Sequence, residues 1–174
     1  MQHEISGELF QWLRIDISSE SVWGSRRHLL CKSEEIQNSG ENVFFGTGWI
    51  VFAGNGKIKE FYLHAADSLI FNEASLLASD VTANQTSLSA TYVSLVKVSG
   101  PGVVFAHGKD FAEFYLEESE FIEARTDCIV AMDDSVTFEL GAKTSVLSGP
   151  GAVLLECAFS EKEESKPYTF FDQV

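Results

Sequence analysis

The chain has 174 residues, 45% of them apolar and 12% aromatic, with a formal net charge of -14. That apolar and aromatic content excludes a disordered chain and suits one domain with a substantial core. The acidic balance disfavours nucleic-acid backbones and anionic membrane surfaces as partners.

In chain order, residues 9–17 alternate in part, with Leu9, Leu13, Ile15 and Ile17 against Arg14 and Asp16, and predict a strand. Ser18-Ser19-Glu20 predicts a turn, and Val22-Trp23 a second short strand. Ser33 to Gly40 is polar, and Ser33 ahead of Glu35-Ile36 predicts one capped helical turn. From Val43 onward the pattern is a succession of short strands, punctuated by the hairpin residues Gly54-Asn55-Gly56. Leu88 to Val98 predicts one long strand. The chain closes at Cys157-Ala158-Phe159, and residues 160–174 form a charged tail whose Tyr168-Thr169-Phe170-Phe171 is apolar enough to dock.

The chain also resembles itself. Phe52-Ala53 and Glu60-Phe61-Tyr62-Leu63 return as Phe105-Ala106 and Glu113-Phe114-Tyr115-Leu116. Gly46-Thr47-Gly48, Gly100-Pro101-Gly102 and Gly149-Pro150-Gly151 each precede an apolar run. Repeated glycine turns before short apolar runs specify an all-β fold with internal duplication and little helix. The expected organisation is a single β-domain over residues 1–159, with the repeat in two related halves, about 43–98 and 99–158.

Period-two alternation sets Ile58, Glu60 and Tyr62 against Lys59, Phe61 and Leu63, and Phe111, Glu113 and Tyr115 against Ala112, Phe114 and Leu116. Phe61, Leu63, Phe114 and Leu116 are expected to be buried. Both faces are apolar, so a second surface must cover the strands, and Phe61, Tyr62, Phe114 and Tyr115 are the candidate oligomer interface.

The order of glycine turns, apolar pairs, Glu-Phe-Tyr-Leu strands and the closing Ser148-Gly149-Pro150-Gly151-Ala152-Val153-Leu154-Leu155 resembles the altered-inheritance-of-mitochondria protein twenty-four family, which has bacterial and archaeal members. The resemblance runs from about Ile5 to Ala158. Trp23-Gly24-Ser25-Arg26-Arg27-His28 departs from the small, glycine-containing segment expected there. The resemblance implies the fold of the tryptophan RNA-binding attenuation protein, a double-stranded β-helix or β-sandwich that assembles as a homo-oligomer, often a trimer. It implies no catalytic residues.

Chemistry is sparse in the residues themselves. His3, His28, His64 and His107 lie outside metal-ligand spacing, so no metal and no cofactor is expected. Glu60 and Glu113 occupy equivalent strand positions, as duplication alone requires; paired carboxylates would otherwise suit acid–base work. The cluster Glu117, Glu118, Glu120 and Glu123 lacks a calcium-loop pattern and suits a solvated edge. The glycine turns lack the Lys and Ser/Thr of a phosphate loop. Cys31, Cys128 and Cys157 are odd in number and far apart, which points to a reducing compartment. With no basic-then-apolar leader at Met1 and no apolar run of membrane-spanning length, the expected location is cytoplasmic. The expected function is a non-enzymatic oligomeric β-scaffold or protein-binding module. The alternative is a small-molecule binder or enzyme with a pocket inside the sandwich.

Overall fold

The structure, a computed structural model, describes residues 1–80 and 82–157; Ala158, Phe159 and the tail lie outside the described residues. The protein is all-β. Its strands are β1 (Gln2–Ser6), β2 (Trp12–Gly24), β3 (Leu29–Lys32), β4 (Gln37–Ser39), β5 (Val43–Ala53), β6 (Lys57–Leu63), β7 (Ser68–Asn72), β8 (Leu76–Asp80), β9 (Asn84–Leu88), β10 (Leu95–Ser99), β11 (Gly102–Gly108), β12 (Phe111–Leu116), β13 (Phe121–Arg125), β14 (Ile129–Asp133), β15 (Thr137–Glu139), β16 (Thr144–Ser148) and β17 (Gly151–Glu156). The only helical turns among the described residues are three 3₁₀ turns, Arg26–His28, Glu73–Ser75 and Thr126–Cys128.

One pairing scheme occurs three times. In the middle unit β6 pairs with β11 and β7 with β10; after the 3₁₀ turn, β8 returns to β11 and β9 to β10. In the last unit β12 pairs with β17 and β13 with β16, then β14 with β17 and β15 with β16. The first unit uses two long strands for the same scheme: residues 12–18 and 21–23 of β2 pair with the two halves of β5, to which β3 and β4 then return. The predicted turn at Ser18-Ser19-Glu20 is the irregularity between Ser18 and Ser21 inside β2, where Ser19 takes a φ of 65°.

The three units explain the three glycine turns. Gly48, Gly102 and Gly151 pair with Ile17, Leu63 and Leu116, one equivalent position per unit. Their φ angles are 150°, 157° and 142°, in the region that disfavours a Cβ. The preceding glycines permit close backbone approach: a Cβ on Gly100 would lie 2.2 Å from the His64 carbonyl oxygen, and one on Gly149 2.4 Å from that of Glu117. Gly100→Ala is therefore expected to lower unfolding free energy by about 1–3 kcal/mol, as overpacking against a fixed backbone does. Urea denaturation checks this, and an unchanged midpoint would show that the turn yields. The 53-residue sequence repeat straddles the units, since it joins the last strand of one (β5, β11) to the first of the next (β6, β12).

Each unit supplies most of one apolar cluster: Leu13, Ile15, Phe44 and Phe52 belong to the first, Phe71, Val98 and Val104 to the second, and Leu116, Leu147 and Val153 to the third. The units are joined by ladders at two places, β2 to β8 and β7 to β14. The corresponding third junction, β13 to β3, has no ladder, because β3 and β13 each end a sheet.

Three local expectations are corrected. Residues 33–40 hold a turn and the strand β4, with no helix: Ser33 Oγ accepts the Trp49 N–H at 3.1 Å rather than capping, and Ile36 is buried in the first cluster. Leu88 to Val98 is not one strand; β9 ends at Leu88 and β10 begins at Leu95, with the Ser94 carbonyl taken by the Glu73 N–H. Phe114 is not buried but 43% exposed, for the reason developed below.

Candidate functional site

The strands carrying the repeated tetrapeptide lie at sheet edges. β6 ends one sheet and β12 another, each laddered on one side only among the described residues. Leu63 and Leu116 are buried, as the alternation predicts. Phe61 is half-buried and stacks edge-on against Phe71 at 5.3 Å. Phe114 is exposed, and Tyr62 and Tyr115 are 64% and 73% exposed. Phe121, in the neighbouring β13, adds a further exposed ring. Of the four candidate interface residues, three therefore present aromatic surface to solvent, and Phe61 is tied to the core.

The equivalent edge in the first unit shows what these strands lack. Register places Ile15, Phe61 and Phe114 at one equivalent position. Ile15 is fully buried, because β1 adds to the outer edge of β2 with His3 opposite Ile15. No strand among the described residues covers β6 or β12 in this way. The sequence of β12 cannot reveal that difference, since it depends on a neighbour distant in the chain.

Two clefts accompany these edges. One, of about 710 Å³, runs beside β6 and is lined by Glu60, Tyr62, Asp67, Asp133 and Asp134. Its carboxylates are engaged: Asp67 accepts the His64 N–H at 2.8 Å, Asp133 the Ala152 N–H at 2.7 Å, and Asp134 pairs with Lys97 at 2.7 Å. The other, of about 740 Å³, opens where the three 3₁₀ turns meet, among Arg26, His28, Glu73, Tyr92, Thr126 and Asp127. There Thr126 Oγ1 meets the Gly141 carbonyl and Ser145 Oγ, each at 2.7 Å, and Arg125 clamps Asp127. The Arg125 guanidinium holds the Asp127 carboxyl below its ordinary range. Thr126 and Asp127 are thus spent on the protein, whereas Arg26 and Arg27, which also line this cleft, make no ion pair among the described residues. Sequence reasoning had not grouped these residues; their shared signal is a position in or beside each 3₁₀ turn.

Glu60 and Glu113 do not act as a pair. Glu60 meets His3 at 2.5 Å and Glu113 meets Lys59 at 2.6 Å. Glu117, Glu118, Glu120 and Glu123 are exposed, and no group of His, Cys, Asp and Glu with metal-holding geometry occurs among the described residues. The three cysteines are free.

Behind the 3₁₀ cleft, His28 and His107 stack with ring centroids 4.1 Å apart. His28 Nδ1 contacts the Ala53 carbonyl at 3.1 Å, and His107 Nδ1 accepts the Asn55 N–H at 3.3 Å, so both rings hold the β5–β6 hairpin. Burial, then the neighbouring His28, push the His107 pKa down to about 4, and the Ala74 carbonyl opposes this only in part. Burial lowers His28 as well.

Known proteins give a consistent picture of the fold. The profile of a family described as mitochondrial biogenesis AIM24 matches residues 3–158. Nothing among curated proteins matches the chain. The crystal structure of protein SPYM3_0169 from Streptococcus pyogenes superposes with a TM-score of 0.78 at 15% identity, covering 90% of this chain and 93% of that one. At that identity the likeness is one of fold.

Proposed function

We propose that this chain, which belongs to the mitochondrial biogenesis AIM24 family, is a non-enzymatic β-scaffold that works by binding protein, its own copies included. The observation that carries this reading is the set of exposed rings, Tyr62, Phe114, Tyr115 and Phe121, on or beside sheet edges that have no partner strand among the described residues. Aromatic side chains offer large contact area at low entropic cost, and unpaired edges add backbone hydrogen bonds. Glu60, Glu113 and Asp67 beside them are engaged in internal contacts, which supports a contact surface over a reaction centre.

The proposed self-association surface is Tyr62, Phe114 and Tyr115, with Phe61 behind them. A trimer is the preferred assembly, on the resemblance to a fold that forms closed oligomers. The net charge of -14 speaks against a nucleic-acid partner, and free cysteines suit the reducing cytoplasm. No helix among the described residues is long and apolar enough to cross a membrane. The reading as a small-molecule binder rests on the cleft at the three 3₁₀ turns and is weaker, because Thr126 and Asp127 there are already held by Ser145 and Arg125.

Light scattering across a concentration series tests the proposal. The expected mass is a multiple of 19.2 kDa, and Tyr115→Ser combined with Phe114→Ser shifts it toward one chain. A wild-type mass of one chain throughout the micromolar range sinks the self-association reading.

A further inference from the structure

We infer that the free edge of β12 takes the free edge of β3 from a second copy of this chain, an inference that rests on the self-association reading above. The first unit contains the precedent. Where a strand adds to the edge equivalent to β12, the side chain at the shared position falls from 43% exposed, as in Phe114, to 0%, as in Ile15. The β12 edge is therefore built to be covered, and two observations select what covers it.

The first is charge. Residues 110–118, which span β12, contain Asp110, Glu113, Glu117 and Glu118 and no basic residue; with Glu113 paired to Lys59, Glu117 and Glu118 carry the charge of this edge. Residues 26–32, which lead into and form β3, contain Arg26, Arg27 and Lys32 and no acidic residue; Lys32 is held by the Ile36 carbonyl, so the two arginines carry the charge of this edge. Arg26 and Arg27 make no ion pair among the described residues. Lysines also occur on the free edge of β6, but Lys57 is engaged by the Glu8 carbonyl and Lys59 by Glu113. The second is apolar complementarity. Leu30, on β3, is 62% exposed, and among the free edges β3 alone joins such a residue to a wholly basic flank. Leu30 of one copy and Phe114 of the next would cover each other as neighbours on adjoining strands.

The contact is heterologous, since different strands meet, so it propagates until rotation closes a ring. Opposite charges at the two edges orient each encounter and reject like edges. A chain with a net charge of -14 gains specificity from this arrangement, because most other face-to-face contacts repel.

The test is charge exchange, read by sedimentation equilibrium at low salt. One variant carries Glu117→Lys and Glu118→Lys; the other carries Arg26→Glu and Arg27→Glu. Each alone is expected to raise the dissociation constant at least tenfold, and a chain carrying all four substitutions to associate again, because its two edges once more bear opposite charges. Loss of association in either variant with no recovery in the fourfold variant overturns the pairing. Association unaffected by either variant overturns this inference and leaves self-association standing, whereas a monomeric wild type overturns both. Amide exchange on the wild type gives an independent reading should the variants fold poorly. Protection at residues 29–32 and 111–116 is expected to rise with protein concentration. Protection of the β12 edge that is already complete in the monomer would assign the cover to residues 158–174 and overturn the inference.

Discussion

Phe105→Ala is expected to lower the unfolding free energy by about 3–5 kcal/mol, whereas Phe114→Ala is expected to cost less than about 1 kcal/mol in the monomer. The two rings differ in environment. Phe105 is fully buried in the cluster built on β2 and β5, with His3 packed edge-on at 4.9 Å. Removing it leaves a cavity walled by β2, β5, β6 and β8 of one sheet, so the lost transfer free energy is joined by lost contacts. Phe114 lies 43% exposed on an edge strand, where water already reaches the ring and truncation opens no void. Urea denaturation of the two variants at low protein concentration checks the difference. Equal losses would mean that Phe114 is covered even in the isolated chain.

Acidification is expected to remove about 3 kcal/mol of stability through His107 alone, between pH 6.5 and about 4. The folded state keeps this imidazole neutral and the unfolded chain does not. Above pH 6.5 both states are neutral at this residue, and it contributes no pH dependence. As pH falls below 6.5 the unfolded chain binds a proton that the folded chain refuses, so unfolding gains free energy. Below about 4 both states are charged, and the loss is complete. Protonation would also cancel the acceptor at Nδ1 that holds the Asn55 N–H, and would place charge beside the stacked His28 ring. Denaturation midpoints measured from pH 7 to 4 for wild type and His107→Gln give the check. The wild-type curve should fall more steeply across that window, and parallel curves would show that the ring accepts its proton without cost.

Much of the fold is legible in the sequence where the signal is local. The all-β class follows from glycine turns ahead of short apolar runs, and burial of Leu63 and Leu116 follows from alternation alone. The third copy of the plan is harder to see. Its first strand, Arg14-Ile15-Asp16-Ile17, shares only an apolar–polar rhythm with Glu60-Phe61-Tyr62-Leu63, although register makes them equivalent. Gly46-Thr47-Gly48 was the available clue to that unit. The exposure of Phe114 was beyond local reasoning, because it turns on whether another strand lies beside β12. The cleft at the 3₁₀ turns was equally hidden, since Arg26, Glu73 and Asp127 share neither residue type nor neighbouring sequence.

The missing ladder between β13 and β3 makes the three units a chain of three links rather than a hoop. In a hoop, strain applied anywhere is shared by every joint. Here the middle unit alone is gripped on both sides, through β8 to the first unit and β7 to the last. The outer units can yield one at a time. The middle unit is the keystone, since both strand ladders between units among the described residues run through it.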